Sequence, residues 1–279
     1  RALAIVRKAF GAEHPNVATV LNNLAILYSE KREHTKAEPL FQGALEIREK
    51  AFGARHPDVA RSLNGLAQLY ESVDEVAKAI EFQSRASLVS EHNLTLNLAT
   101  GSERQKLAYL VQFTGESNQT ISLHVRAAPT DAMARNLALT TILQRKGRAL
   151  DAMTDSLAAL RRRANADDRA LLGQLQETNA QLAGLVLKGP QRITPAEHQA
   201  RIKNLEERKE KLEGDISRRN AEFRAQAAPV SIEAVQAAIP AQAALVEFVS
   251  FSPFNAKAQK ANERFGAPRY VAYVLHQQG

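Results

Sequence analysis

Two sets of side chains near the start of the chain share one helical spacing and are suited to hydrogen bonding. Successive members of each set are three, four and three positions apart, so each set lies on one face of a helix. Asn22 and Asn64 hold equivalent positions, and an Asn amide both donates and accepts hydrogen bonds. Those bonds could run to a ligand or to neighbouring helices. The two sets are Thr19, Asn22, Ile26 and Ser29, then Arg61, Asn64, Gln68 and Glu71.

Residues for covalent, metal or cofactor chemistry are not evident, and we predict no catalytic, metal or cofactor site. The sequence has no Cys, which excludes a disulfide framework, a zinc finger and a cysteine nucleophile within these residues. Gly-rich phosphate loops and metal-ligand clusters are also missing from it. For Lys146-Gly147-Arg148 we prefer a kink or close helix contact at Gly147 with two solvated neighbours. His124 lies among apolar neighbours, which indicates a packed surface His rather than a ligand.

The elements that must position the two polar sets are repeated helix pairs. The stretch from Phe10 to Tyr28 recurs from Phe52 to Tyr70 with a period of about 42 residues, which is typical of stacked repeats. Apolar residues at helical spacing predict two helices in each unit, the first beginning near Asn16 or Asp58 after a His-Pro pair. A single helix pair cannot bury its apolar face, so stacking is required.

The repeated residues resemble a known family. The motif LNNLAILY, Ala37 nine residues on, and then ALEIREKAFGARHPDVA are similar to the tetratricopeptide (TPR) repeat of the kinesin light chain type, over about the first third of the chain. The resemblance implies a peptide-binding scaffold with the first helix of each pair facing a groove. The groove residues would then be the two polar sets, whose amides suit the backbone of an extended peptide. A protein or peptide is the implied partner.

Charge and hydropathy bound the remaining function classes. The net charge of +7 is modest and spread out. The one dense run, Arg161-Arg162-Arg163, is accounted for as cations at a helix C-terminus, so we do not expect nucleic-acid binding. No apolar run is long enough to span a membrane, and no leader precedes the repeats. We expect a cytoplasmic protein, and, because the chain opens at Arg1 inside a repeat, a fragment.

The middle of the chain predicts helices only. Residues 86–127 read as a degenerate continuation of the repeats, with a capping box from Ser102 to Gln105. Residues 120–125 alternate like a strand, but their helical flanks favour a helix. A long helix is predicted from Ala132 through Leu150 to Leu160.

Two heptad segments with a short loop between them predict an antiparallel helical hairpin. Thr194, with Pro195 and Glu197, predicts the start of the second helix. We expect Leu175 or Leu182 to meet Leu205 or Leu212. An intermolecular coiled coil is the alternative, although Lys209 and Arg219 fall at core positions.

The C-terminal part changes character near Pro229. A short helix is predicted from Ser231 to Ile239, followed by strands over 244–251 and 270–276. Leu245, Glu247, Val249 and Phe251 alternate with Val246, Phe248 and Ser250. We expect these strands to form the edge of an unfinished sheet, with rapid amide exchange and lower solubility than a chain ending near Ala228. The residues expected to have too few partners are Val246, Phe248, Val271, Tyr273 and Leu275.

This tail carries a second resemblance. The runs SIEAVQAAIPAQAALVEFVSFSPFN and ERFGAPRYVAYVL are similar to the opening of a CHAT domain, and LALTTILQRKGRALDAM resembles the connector between TPR arrays and such domains. CHAT domains are caspase-like cysteine peptidases, so the resemblance implies a His and Cys dyad beyond Gly279. His276 lies in the wrong part of the pattern for the catalytic His.

Taken together, the sequence predicts a mainly α fold: a TPR helix-pair solenoid, a helical connector with an antiparallel coiled-coil hairpin, and a short C-terminal β segment. The predicted boundaries are 1–90, 91–164, 165–228 and 229–279. The predicted function is a peptide-binding and regulatory region linked to a caspase-like peptidase domain. Two alternatives stay open: a peptidase, which the lack of a thiol opposes, and a structural coiled-coil or oligomerisation protein without a linked peptidase.

Overall fold

The computed structural model describes residues 1–98, 108–154, 166–190, 193–219 and 230–277. These residues are mainly helical and end in a two-stranded antiparallel sheet, so the predicted mainly α fold is confirmed. The Ser102–Gln105 capping box, the Arg161 to Arg163 run and the end of the predicted hairpin beyond residue 219 lie outside the described residues.

Five helices build the repeats. They are α1 (Ala2–Phe10), α2 (Pro15–Glu30), α3 (His34–Phe52), α4 (Pro57–Ser72) and α5 (Val76–Leu98). The extensive contacts run between α2 and α3, α3 and α4, and α4 and α5, which gives stacked helix pairs. Small residues allow the close approach: a Cβ at Gly65 would lie 2.4 Å from the Phe41 ring, so only glycine fits there. The shared core includes Ala25, Ala37, Phe41, Leu63, Leu66 and Tyr70.

The repeated Phe-Gly-x-x-His-Pro sequence forms the junction between units. The His56 ring stacks on Phe52 with 4.2 Å between centroids, and its Nδ1 accepts a hydrogen bond from the Asp58 amide at 3.1 Å. His14 does the same with Phe10 and the Asn16 amide. The helices therefore begin at the prolines with a histidine as the cap, one residue before the predicted starts at Asn16 and Asp58.

Helices α6 (Thr114–Ser122) and α7 (Ala132–Thr154) come next in the described part of the chain. Helix α6 continues as a π-helical turn (Leu123–Ala127), so the helical interpretation of residues 120–125 is confirmed. The Asp131 side chain accepts from the Ala134 amide at the start of α7. The stretch predicted to continue this helix to Leu160 lies outside the described residues.

Helices α8 (Ala166–Lys188) and α9 (Pro195–Arg219) form the predicted antiparallel hairpin. Leu175 packs with Leu212 near one end, and Leu182 with Leu205 nearer the other. Thr194 and Glu197 make the expected reciprocal capping bonds, at 3.2 Å and 2.9 Å. The hairpin also packs on the repeats, because Leu96 of α5 shares the core of Leu182 and Val186.

The C-terminal part consists of α10 (Ile232–Ala238), β1 (Ala244–Phe251) and β2 (Arg269–His276). The strands pair with Glu247 opposite Tyr273. One sheet face packs on α6, α7 and α10, where Phe251, Tyr273 and Leu275 join a core with Ile121 and Ile142. The other face is open and carries Val246, Phe248, Tyr270 and Val274.

The expectation that five tail residues would lack partners is therefore partly wrong. Tyr273 and Leu275 are buried and Val271 is half-buried, because the helical connector covers their face of the sheet. Val246 and Phe248 are 44% and 74% exposed, as expected. Successive side chains of a strand point to opposite faces of the sheet, so the residues on one face are covered and those on the other face stay exposed.

Candidate functional site

A cavity of about 540 Å³ lies between the repeats, α6 and the β1–β2 loop (residues 252–268). Helices α2 and α4 supply one wall, α6 supplies a second, and the β1–β2 loop closes a third side. The cavity falls in the size range of ordinary ligand pockets. Six of the eight side chains predicted to face a groove line it: Asn22, Ile26, Ser29, Arg61, Asn64 and Gln68.

The remaining two predicted groove residues lie elsewhere. Thr19 is exposed, and its Oγ1 donates to the Pro15 carbonyl at 3.3 Å. Glu71 is not among the described lining residues. Burial raises the pKa of Glu71 to about 7, although the charges of Arg126 and Lys257 oppose this shift. Helical spacing therefore placed both residues on the expected helices but did not locate the ends of the cavity.

Asn22 has a structural partner as well as a place in the cavity wall. Its Oδ1 accepts a hydrogen bond from Arg48 Nη1 at 3.2 Å. The same Nη1 donates to Ser62 Oγ at 2.6 Å and to the Asp58 carbonyl at 3.1 Å. Arg48 is 1% exposed, so this bond network fixes α3 between the first helices of the two units.

Asn64 and Gln68 bond to neighbouring helices at the cavity wall. Asn64 Oδ1 accepts from Gln83 Nε2 at 3.2 Å, and Gln68 Nε2 donates to Gln119 Oε1 at 3.0 Å. Asn64 Nδ2 also lies 3.5 Å from Glu116 Oε2. The alternative raised from the sequence, hydrogen bonding of Asn22 and Asn64 to other helices, thus occurs for both residues. Both also line the cavity.

Glu116 on α6 was not singled out from the sequence. Its carboxylate accepts from Ser90 at 2.6 Å and pairs with Arg145 of α7 at 3.0 Å. Burial raises the pKa of Glu116 even though Arg145 acts in the opposite direction, and burial lowers the pKa of Arg145. The Arg145 guanidinium lies 4.7 Å from the centre of the Phe113 ring, which is also part of the wall.

The β1–β2 loop was also not foreseen as part of the site. Phe254 and Phe265 pair across it with 5.3 Å between ring centroids, and both line the cavity. Arg264 pairs with Glu30 of α2 at 2.9 Å, and Lys257 pairs with Asp74 after α4 at 2.8 Å. The loop is thereby held against the ends of both repeat units. Arg264 and Glu30 are 234 positions apart, so local spacing carries no signal for the contact.

Three polar atoms in the cavity wall are buried and find no hydrogen-bond partner among the described residues. They are Ser29 Oγ, Asn93 Oδ1 and Gln119 Nε2. Asn93 and Gln119 are only 2% and 4% exposed. Buried polar atoms are almost always hydrogen-bonded, so this wall is suited to a polar ligand group.

Other residues considered from the sequence are outside the described cavity lining. His124 Nδ1 lies 3.0 Å from the Tyr273 hydroxyl, and burial lowers the pKa of His124 and raises that of Tyr273 to about 12. Lys146 is exposed, as expected, and it also pairs with the buried Glu247 of β1 at 2.5 Å, which holds the sheet on α7. His276 is exposed at the end of β2.

Within the described ranges, no group of three or more His, Cys, Asp or Glu residues could hold a metal ion. The described helices include none that is long and apolar enough to cross a membrane.

Comparison with known proteins supports the repeat assignment. A family model described as tetratricopeptide repeat matches residues 17–58, which run from α2 through α3 to the start of α4. No curated protein matches the chain. The match covers one full period of the repeat. It includes most of the helix pair α2 and α3 and the capped junction at which α4 begins. The chain therefore carries a tetratricopeptide repeat, and this supports a TPR protein.

Proposed function

We propose that the cavity binds a segment of a partner protein. A tetratricopeptide repeat supports a protein-interaction scaffold, and the cavity occupies the face that such a scaffold would offer. The observation that carries the proposal is that six predicted groove residues and three residues with an unpartnered buried polar atom line the same cavity.

The volume and chemistry of the cavity favour a short stretch of peptide over a folded surface. About 540 Å³ has room for a few residues. Amides dominate the polar part of the wall, and an amide can bond to both the N–H and the C=O of an extended backbone. Aromatic side chains that precede α6, Tyr109 and Phe113, and others from the β1–β2 loop supply much of the apolar part.

Binding of a phage-displayed random peptide library to the whole chain tests this proposal. Peptides selected on the wild type should bind the Asn64→Ala, Gln68→Ala double variant at least about tenfold more weakly. Asn23→Ala is the matched control, because Asn23 lies on α2 but is exposed and outside the described cavity wall. Circular dichroism checks that the variants stay folded. Selected peptides that bind the double variant unchanged would contradict binding in the cavity.

We further propose that α10, β1 and β2 begin a CHAT-like, caspase-like α/β domain, and that the repeats present partners to it or control it. The order helix, strand, strand supports the proposal, as does the open apolar sheet face. Sheets in α/β domains are covered on both faces, so side chains such as Phe248 fit a second layer. The boundaries near residues 90, 164 and 228 remain predictions on the same footing.

The coding sequence downstream of Gly279 tests the link to a peptidase. A continuing α/β pattern, with a His and a Cys each following a predicted strand, is the expected result. A stop codon directly after residue 279, or a downstream sequence without a Cys, would contradict a linked cysteine peptidase while leaving the scaffold proposal intact.

Oligomerisation through the hairpin is the other candidate function. Its apolar stripe is already in use, because Leu175 packs on Leu212 and Leu182 packs with Leu96 of α5. We therefore favour a hairpin that braces the repeats. Sedimentation equilibrium measures the alternative directly: a dimer that dissociates on substitution of exposed hairpin residues would restore it.

A further inference from the structure

We propose that the cavity selects an uncharged, extended segment with a large apolar side chain, and that the β1–β2 loop clasps this side chain with Phe254 and Phe265. This inference rests on the proposed function, since it specifies the ligand of the same cavity. It is carried by the charges of the wall, its unpartnered polar atoms and the position of the loop.

Each charged side chain among the described lining residues already has a counter-charge within the chain. Glu30 pairs with Arg264, and Glu116 pairs with Arg145. Arg61 Nη1 lies 3.0 Å from Asp58 Oδ1. A charged ligand side chain entering the cavity would lose its hydration and find no free partner of opposite sign in this wall. Burial of an uncompensated charge is costly, so the wall discriminates against charged segments.

The unpartnered polar atoms match a peptide backbone. Asn93 Oδ1 is an acceptor, because the Asn93 amide nitrogen already donates to the Arg55 and Val89 carbonyls at 2.8 Å. Gln119 Nε2 is a donor, because Gln119 Oε1 accepts from Gln68. An N–H and a C=O of an extended segment are the groups that would supply the partners missing from this acceptor, this donor and the Ser29 hydroxyl, whose residues all line the cavity.

The loop supplies an apolar subsite in the same cavity. Phe254 is buried, with its amide bonded to Ser122 Oγ at 2.7 Å and its carbonyl to Arg126 at 2.7 Å. Phe265 is 43% exposed and reaches toward α6, where a Cβ at Gly115 would lie 3.8 Å from its ring tip. Ile26 and Phe113 also belong to the apolar lining. An apolar ligand side chain here would cover the exposed part of Phe265.

The anchoring of the loop makes this subsite part of the ligand site. Arg264 is bound at the end of α2, and Lys257 at the turn after α4, so the loop bridges the first helices of the two units. Phe265 follows Arg264 directly, and the ion pair to Glu30 therefore sets where the ring lies. The position of Phe265 then determines which side chains the cavity accepts.

Four capped peptides provide the test. Each has one short alanine-based sequence with too few residues to form a stable helix, acetylated and amidated to remove terminal charges, with a central Phe, Ala, Glu or Lys. Fluorescence polarisation measures their affinity for the whole chain. The Phe peptide should bind at least about tenfold more tightly than the Glu and Lys peptides. Phe265→Ala should abolish most of the preference for Phe over Ala.

Phe248→Ala is the matched control, because Phe248 is an exposed phenylalanine of the neighbouring strand β1 that is outside the described cavity wall. It should leave all four affinities unchanged. Equal or tighter binding of the Glu or Lys peptide would overturn the selectivity, as would a Phe preference that survives Phe265→Ala. Loss of every peptide in Asn64→Ala would then still support binding in the cavity. If no peptide binds the wild type, the selectivity proposal fails, while the selection of library peptides still decides whether the cavity binds a peptide.

Discussion

At the scale of single residues, Arg48 joins the two repeat units. Its Nη1 donates to Asn22, to Ser62 and to the Asp58 carbonyl, all of them neutral acceptors, and burial lowers its pKa. The desolvation of the guanidinium is offset by these bonds only while all acceptors are in place. Removal of the side chain leaves buried oxygen atoms unpaired, and each unpaired atom costs stability.

We expect Arg48→Ala to lower the free energy of unfolding by about 2 to 4 kcal/mol, through lost hydrogen bonds and a cavity between the repeats. Urea denaturation followed by circular dichroism measures this. Lys50→Ala, at an exposed position on the same helix, should change it by less than about 0.5 kcal/mol. Similar values for the two variants would contradict the role given to Arg48.

Two histidines, the cap His56 and His92 within α5, predict a pH dependence with a defined sign. Burial lowers the pKa of His56 and that of His92 to about 4, whereas the pKa of a His in the unfolded chain is about 6.5. The unfolded chain then binds more protons between these values. The stability that the two neutral histidines contribute is therefore fully present above pH about 6.5 and is lost as the pH falls toward about 4.

We expect this loss to be on the order of 1 to 3 kcal/mol for each of the two histidines. His56→Asn keeps a capping acceptor but does not titrate, so stability measured by urea denaturation should fall less steeply between these pH values. His276→Asn, at an exposed position, should leave the profile unchanged. A wild-type profile that is flat across this range would contradict the buried neutral histidines.

At the scale of elements, the helical hairpin is a brace for the repeats. Its inner stripe packs on itself and on α5, and Arg55 after α3 pairs with Glu206 of α9 at 2.7 Å. Gly189 in the hairpin turn has φ +68°, and a Cβ there would lie 2.9 Å from the Phe52 ring. The turn therefore touches the repeated Phe-Gly-x-x-His-Pro junction, and loosening the hairpin should weaken the repeats as well.

Leu212→Ala should lower the free energy of unfolding by about 2 to 5 kcal/mol, because Leu212 is buried against Leu172 and Leu175. Leu187→Ala is the matched control, since Leu187 is exposed on the same hairpin, and it should cost less than about 1 kcal/mol. Thermal denaturation by calorimetry compares them. A normal transition for Leu212→Ala would show that the hairpin does not unfold with the repeats.

At the scale of the whole molecule, the C-terminal sheet covers the connector helices. The sequence led us to expect that a chain ending near Ala228 would be more soluble. The packing of Phe251, Tyr273 and Leu275 on Ile121 and Ile142 points to the opposite, because removal of the tail would uncover this core. We now expect the shorter chain to be less stable and more prone to aggregation.

Two phenylalanines on opposite faces of β1 separate these effects. Phe251→Ala should destabilise the chain by about 3 to 5 kcal/mol, because Phe251 is buried on the connector. Phe248→Ala should change stability by less than about 1 kcal/mol and raise the solubility, since its ring lies on the open face. Calorimetry and the concentration at the onset of light scattering measure both. Equal destabilisation by the two variants would contradict a sheet covered on one face.

Local patterns in the sequence determined much of the fold. The period of the repeats predicted the helix pairs, and heptad spacing predicted a hairpin in which Leu175 or Leu182 meets Leu205 or Leu212. Alternation along β1 correctly separated Phe251 from Phe248. Spacing along α2 and α4 also brought six of the eight proposed groove residues to one cavity. These features depend on neighbours within a few turns or one period, and the sequence records such neighbours directly.

Tertiary structure alone decided what completes the cavity. Glu116 and Gln119 come from α6, and Phe265 comes from the β1–β2 loop. The ion pair that holds this loop joins Arg264, next to Phe265, with Glu30, and these two residues are 234 positions apart. The burial of Tyr273 and Leu275 depends on which helices cover the sheet, which strand alternation does not specify. The histidine caps depended on ring stacking at the junction, a contact that propensities for Asn and Asp do not include. In each case the outcome depended on packing between different segments of the chain. Many residues have similar local chemistry, and only the packed structure determines which of them come into contact.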